Sequence, residues 1–171
     1  ESGLLEEAHG GVIYFDEVAD MPLGTQSKIL RVLVDQQFQR VGGTDKVRVD
    51  LRVISSTNRD LEEEIRAERF RQELFHRLNV VPIAVPSLEE RREDIPVLAE
   101  HFIEACNASQ GLPLRPLSDE AVALMQTMVW PGNVRQLKNL IERVLILGDG
   151  NGPIEARELP SDDEKSADDG R

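Results

Sequence analysis

Two short runs of β-branched and aromatic residues, each ending abruptly in polar side chains, set the frame for this 171-residue chain. Gly11-Val12-Ile13-Tyr14-Phe15 stops at Asp16-Glu17, and the run from Leu51 to Ser56 closes in Ser55-Ser56-Thr57-Asn58. An apolar run bounded in this way predicts a parallel strand buried in a sheet. The carboxyl ends of such strands open onto the crevice where α/β sheets bind ligands, so both polar ends fall where that class of fold does its chemistry.

Between and after the two runs the spacing turns helical. From Pro22 to about Gln37, Ile29, Leu30, Leu33 and Val34 recur as one face of an amphipathic helix. Gln39-Arg40-Val41 and Lys46-Val47-Arg48-Val49 flank Gly42-Gly43-Thr44-Asp45, which predicts a hairpin or protruding loop. Helices are predicted at about 61–68 and 70–78, and Val80-Val81-Pro82-Ile83-Ala84-Val85 reads as a third short strand, placed at an edge by Pro82. After Pro86 three helical patterns follow without a strand, at about 95–106, 119–128 and 134–147, with Asp94, Ser118 and Asn133 as N-cap choices. The expected organisation is an α/β part over residues 1–93 and a helical subdomain over 94–160. Residues 161–171 contain no apolar side chain larger than Ala, and predict a disordered acidic linker.

Composition narrows the function classes. Apolar residues make up 40% of the chain, enough for a globular body of one domain with a small second one. No run of about 18 uncharged apolar residues occurs, and no basic region precedes an apolar stretch, so neither a membrane nor export is expected. The single cysteine, Cys106, lies at an apolar helical position and predicts a buried, inert thiol, in keeping with the cytoplasm. A net charge of -12 argues against a DNA-gripping surface on this piece. His9, His76 and His101 have no metal-ligand spacing, and neither Gly-x-Ser-x-Gly nor a Ser/His/Asp framework is visible.

The candidate site residues each carry two readings. Asp16 at the end of a buried strand could hold Mg²⁺ through water, with Glu17 polarising an attacking water; the same pair could simply leave the core and cap a helix. Thr57 and Asn58 could face a γ-phosphate, or be turn residues. In Phe70 to Leu78 the residues Phe70, Leu74 and Leu78 form one stripe with Arg71 and Arg77 on its two edges, placed for local salt bridges or for an interface with another subunit. Arg135 falls in the first turn of a helix, where the dipole disfavours a cation, so it needs a carboxylate or an anion such as a nucleotide phosphate.

Taken in order, Gly10-Gly11-Val12-Ile13-Tyr14-Phe15-Asp16-Glu17-Val18, Phe38-Gln39-Arg40-Val41-Gly42-Gly43, Arg52-Val53-Ile54-Ser55-Ser56-Thr57-Asn58, Phe70-Arg71 through Arg77-Leu78, and Trp130-Pro131-Gly132-Asn133-Val134-Arg135 resemble the sigma-54 interaction domain of NtrC-family bacterial enhancer-binding proteins. Glu17-Val18-Ala19-Asp20-Met21-Pro22 and Leu33-Val34-Asp35-Gln36-Gln37-Phe38 further resemble the NtrX branch of its response regulators. The resemblance implies an α/β fold: a partial AAA+ P-loop NTPase-type core, a parallel sheet with flanking helices, followed by a small all-helical lid. It makes Asp16 and Glu17 the Walker B pair, Thr57 and Asn58 sensor I, Arg71 and Arg77 arginine fingers, and Arg135 sensor II. Asp16, Asn58 and Arg135 would meet the nucleotide, with Mg²⁺ on Asp16 through water. The loop from Gln39 to Lys46 would support contact with sigma-54.

It also implies ATP and Mg²⁺ as cofactors and a ring, usually a hexamer, that hydrolyses ATP to remodel sigma-54 RNA polymerase. DNA and a sensor kinase would be met through further domains. The departure is that no Gly-x-x-x-x-Gly-Lys-Ser/Thr loop occurs; it is expected upstream of Glu1, and the chain alone is expected to bind ATP weakly or not at all. The strand that carries that loop would lie between the second strand and the strand at 80–85, leaving a gap in the sheet and an expectation of rearrangement, strand exchange between chains or a fragment of a larger protein. Another AAA+ remodelling ATPase, such as a helicase loader, and a non-catalytic oligomerisation module are the alternatives.

Overall fold

A computed structural model describes residues 3–39, 46–148, 150 and 152–160. The tip of the expected hairpin, with most of the loop expected to face sigma-54, and the acidic segment 161–171 lie outside the described residues. The chain divides into two units, Glu1–Ile83 and Ala84–Arg171.

In the first unit a one-turn helix, Leu4–Glu7 (α1), precedes Val12–Phe15 (β1). Leu23–Asp35 (α2), Gln37–Gln39 (β2) and Lys46–Arg48 (β3) then lead to Arg52–Ser55 (β4). β1 and β4 pair in parallel, Val12 opposite Arg52 and Phe15 opposite Ser55, and the intervening helix is the crossover that a parallel pair needs. β2 and β3 pair antiparallel, Phe38 opposite Val47, so the flanks of the expected hairpin form a ladder. Leu61–Arg66 (α3) is N-capped by the Asp60 carboxylate, which accepts the N–H groups of Glu62 and Glu63. Gln72–Leu78 (α4) closes the unit. Val18, Leu33, Phe70 and Leu74 form the core, with Phe15, Ile29, Leu30, Val53 and Leu78 packed on it. The stripe read at Phe70, Leu74 and Leu78 is therefore the face that α4 buries.

The sheet corrects two expectations. β1 and β4 are not buried on both faces: Ile13, Phe15, Val53 and Ser55 point toward the core, whereas Val12, Tyr14 and Ile54 are exposed on the other face. The alternation is that of a sheet covered on one side only. The expected strand at 80–85 does not form; Val80, Val81, Ile83 and Val85 are 74–84% exposed. A strand is a pairing and not a local property, and among the described residues no ladder offers this segment a partner.

The second unit is helical, built from Ile95–Gln110 (α5), Asp119–Thr127 (α6) and Asn133–Leu147 (α7). Leu88, Ile95, Met125, Trp130, Leu137 and Ile141 are buried at its centre, and the Trp130 indole N–H donates to the Met125 carbonyl at 3.0 Å. The unit begins about ten residues before the boundary expected at 93/94. The reason is Leu88, which is fully buried in the helical core and is held there by a capping box between Ser87 and Glu90.

Of the three expected N-caps, Ser118 accepts the Ala121 N–H at 3.1 Å, but Asp94 makes no cap bond. Asn133 stands at the start of α7 with φ +48°, yet its side-chain oxygen accepts the Leu88 N–H at 2.8 Å. The Gln136 carboxamide takes the Gly132 N–H in its place. At the other end of the unit the buried Arg115 guanidinium donates to both carboxylate oxygens of Glu158 at 2.8 Å and to the carbonyls of Gly152 and Pro153. This pairing holds the Glu158 carboxyl below its ordinary range. Cys106 is buried in the core, and burial pushes its thiol up, as for an unreactive cysteine. No helix among the described residues is long and apolar enough to cross a membrane.

Candidate functional site

The parallel pairing of β1 and β4 brings their polar ends side by side. The Ser56 N–H donates to the Phe15 carbonyl and the Val18 N–H to the Ser56 carbonyl, each at 2.9 Å, so the ladder continues one step past the strands and fixes the turn that holds Asp16 and Glu17. The exposed Asp16 carboxylate accepts the Ser56 hydroxyl at 2.8 Å, and the Tyr14 hydroxyl lies 3.1 Å from the same oxygen and 2.8 Å from the Ser56 hydroxyl. The single phenolic hydrogen is shared between those two acceptors.

Glu17 adopts a left-handed backbone, φ 49° and ψ 61°, a conformation that costs a non-glycine residue about 1–3 kcal/mol and recurs at functional sites. It turns the side chain toward the end of β4, where the carboxylate accepts the Asn58 N–H at 2.8 Å. The Thr57 hydroxyl accepts the Arg59 N–H at 3.1 Å, which is local turn chemistry. Asp16, Glu17, Thr57 and Asn58 thus form one cluster at the carboxyl edge of the sheet, with hard oxygen atoms predominating.

The arginines are placed separately. Arg71 is the N-cap residue of α4; its N–H is bound by the Gln26 carboxamide at 2.9 Å, while its guanidinium is exposed. Arg77 donates to the Leu33 carbonyl at 2.9 Å, near the C-terminal end of α2, where the helix dipole favours a cation. Neither forms a hydrogen bond with Asp16 or Glu17. Arg135 is exposed in the first turn of α7, in the second unit, and among the described residues it makes no ion pair.

Behind the cluster runs a charged chain. Asp20 pairs with Arg59 at 2.6 Å, Arg59 lies 3.9 Å from Glu64, and Arg69 donates through Nε and Nη2 to Glu64 at 2.8 Å each. The Arg69 hydrogen bonds outweigh the desolvation of the nearly buried Glu64 and hold its carboxyl below the ordinary value.

Three participants are not among the candidate site residues expected from the sequence: Tyr14, Ser56 and Gln26. Tyr14 has a signal in the period of two, which puts residues 14 and 16 on the same face. Ser56 follows from the register that sets the second polar end beside the first. Gln26 had a quieter signal, a polar residue three, four and seven positions before Ile29, Leu30 and Leu33 on the face that α2 buries.

Residues 1–84 match the family model of the sigma-54 interaction domain, and residues 89–171 match that of the AAA+ ATPase lid domain. The chain belongs to the sigma-54 activator family. Its α/β unit and helical unit are the AAA+ core and lid of that family. The nitrogen assimilation regulatory protein NtrX of Azorhizobium caulinodans is 57% identical over 162 residues, covering 94% of this chain and 36% of that protein. The transcriptional regulator NtrC of Escherichia coli K12 is 43% identical over 160 residues, covering 94% and 34%. A crystal structure of Brucella abortus NtrX in complex with ATP superimposes with a TM-score of 0.88 at 55% identity, covering 93% of this chain and 38% of that one. The complex of the same protein with ADP gives 0.89 at 54% identity. This sigma-54 activator core spans about a third of the length of the curated relatives it matches.

Proposed function

We propose that this chain is the ATPase module of a sigma-54-dependent activator, an NtrX-like response regulator, and that its first unit carries the part of the ATP site that handles the metal and the attacking water. One observation carries the reading: an acid pair and a Thr-Asn pair occupy the carboxyl ends of two adjacent parallel strands, joined by the Glu17–Asn58 and Asp16–Ser56 hydrogen bonds. Brucella abortus NtrX, with the same fold, is seen with ATP and with ADP.

The donor set fits Mg²⁺. One carboxylate with hydroxyl neighbours is a hard oxygen site of the kind that holds this ion through its waters and not in a closed cage. When bound, the ion neutralises charge on the phosphates. Tyr14 and Ser56 keep the Asp16 carboxylate aimed, and Glu17 accepts a proton from, or orients, the attacking water. The Asn58 N–H fixes where the Glu17 carboxylate stands, and Thr57 and Asn58 face the terminal phosphate. Arg71 and Arg77 serve the nucleotide of a neighbouring copy in a ring, and Arg135 meets phosphate from the lid. The loop from Gln39 to Lys46 supports contact with sigma-54 RNA polymerase in the cytoplasm, while DNA and a sensor kinase engage other domains of the longer protein.

The phosphate grip is the remaining requirement, since the sequence holds no Gly-x-x-x-x-Gly-Lys-Ser/Thr loop. The test is therefore ATP turnover by a chain extended upstream through such a loop. Glu17→Gln is expected to lower kcat by at least about 10²-fold, the usual contribution of a positioned general base. Unchanged turnover would remove Glu17, and with it this assignment of the site.

A further inference from the structure

We infer that Gln26 is a positioning residue for Arg71: its carboxamide binds the loop behind the acid pair to the first residues of the arginine-bearing helix, so that the two are set by one side chain. The inference rests on the reading of Arg71 as a residue that serves ATP hydrolysis.

Gln26 is fully buried on the apolar face of α2. A carboxamide there is costly unless every donor and acceptor is used, and here the bonds leave α2 altogether. Nε2 donates to the Met21 carbonyl at 2.7 Å and to the Arg69 carbonyl at 3.0 Å, and Oε1 accepts the Arg71 N–H at 2.9 Å. Toward Arg69 and Arg71 the side chain behaves as an added peptide group, closing a bridge across Phe70, whose ring is buried in the core. Arg71 has extended backbone, φ -81° and ψ 129°, and as N-cap its N–H has no partner within α4. Gln26 supplies that partner and so fixes the direction in which the Arg71 side chain leaves the core.

At its other end Gln26 holds Met21, four residues beyond Glu17 and at the close of the short turn Val18–Asp20. The charged chain Asp20, Arg59, Glu64 and Arg69 joins the same two places by a second route. An amphipathic helix needs neither link to bury Ile29, Leu30 and Leu33. What the links provide is a fixed offset between the loop of the acid pair in one subunit and the arginine that the same subunit presents outward.

The test uses the chain extended upstream through a phosphate-binding loop, with Gln26→Met, which keeps the volume and removes the hydrogen bonds. The kcat for ATP is expected to fall about 10- to 100-fold, the scale of a displacement of about 1 Å, with KM for ATP within about 2-fold. Two readouts separate positioning from support of the fold. The double variant Gln26→Met with Arg71→Ala should be no slower than Arg71→Ala alone. Mixing Gln26→Met with Glu17→Gln should restore part of the turnover that both lack, because one copy keeps its acids and the other its placed arginine.

An unchanged kcat in Gln26→Met, losses that multiply in the double variant, or no recovery on mixing would each overturn the inference. Should Gln26→Met not fold, Gln26→Leu, which likewise removes both donors and the acceptor for the Arg71 N–H, carries the same readouts; if neither folds, Gln26 holds the fold and the inference is overturned. Turnover unaffected by Arg71→Ala would instead remove the arginine reading beneath it.

Discussion

The polar side chains of the helical unit brace that unit, whereas those of the α/β unit gather at the candidate site and behind it. In the helical unit, the Arg115–Glu158 fork, the Trp130 indole N–H and the Asn133 carboxamide each tie one part of the unit to another, around a core running from Leu88 to Leu159. In the α/β unit, Ser56, Tyr14, Gln26 and Glu64 lead to Asp16, to the loop behind it, or to the helix that carries Arg71. One face of its sheet is exposed, and among the described residues no strand pairs with 80–83. The contacts of the helical unit brace its own core, while those of the first unit converge on Asp16 and on the start of the helix that carries Arg71.

The largest effect should come from the lid core. Trp130→Ala removes a fully buried indole and its hydrogen bond and should cost about 3–5 kcal/mol, read as a lowered denaturant midpoint. A cost below about 1 kcal/mol would mean that these contacts do not brace the lid core.

Next is the buried fork. Glu158→Gln should cost about 1–3 kcal/mol, the range for losing a hydrogen bond to a charged group. The pH dependence sharpens this. Arg115 holds the Glu158 carboxyl below the ordinary 4.5, so its contribution is present above that value and is lost as pH falls through the lower folded value. Thermal melts between pH 6 and 3 should show a fall below about pH 4.5 that is shallower in Glu158→Gln. Glu64, held down by Arg69, works in the same direction and leaves a residual slope in the variant. Identical slopes would show that the fork does not titrate with folding.

The smallest effect belongs to the open face of the sheet. Ile54→Ala truncates a side chain that is more than half exposed and should change stability by no more than about 0.5 kcal/mol in denaturant melts. A loss comparable to that of Trp130→Ala would show that this face is covered in solution.

Much of this was legible in the sequence, and unevenly. Helices were legible because a 3.6-residue period needs only the residues of the helix itself; α2, α5, α6 and α7 all form where helices were expected, although Val34, read on the α2 stripe, is exposed. The cluster of Asp16, Glu17, Thr57 and Asn58 was legible because two apolar runs ending in polar groups become neighbours once they pair in parallel. Depth was not. Whether Val12 and Ile54 are covered depends on what lies across the sheet, and a β-branched run such as Val80 to Val85 signals a willingness to pair without naming a partner. Nor were the roles of Gln26 and Asn133 legible. A carboxamide has donors and acceptors in every direction, and only the fold selects Met21, Arg69 and Arg71 for one and Leu88 for the other. Arg77 shows the same limit: the wheel placed it on an edge of the stripe, and the structure gives it the Leu33 carbonyl.

On the proposed function the first unit handles metal and water, and binding the phosphates requires a Gly-x-x-x-x-Gly-Lys-Ser/Thr loop that these 171 residues do not contain. Isothermal titration of ATP with Mg²⁺ into the 171-residue chain tests it most directly. No saturable binding in the micromolar range is the predicted result, with binding appearing in the chain extended through a phosphate loop; saturable micromolar binding by the 171 residues alone would contradict it.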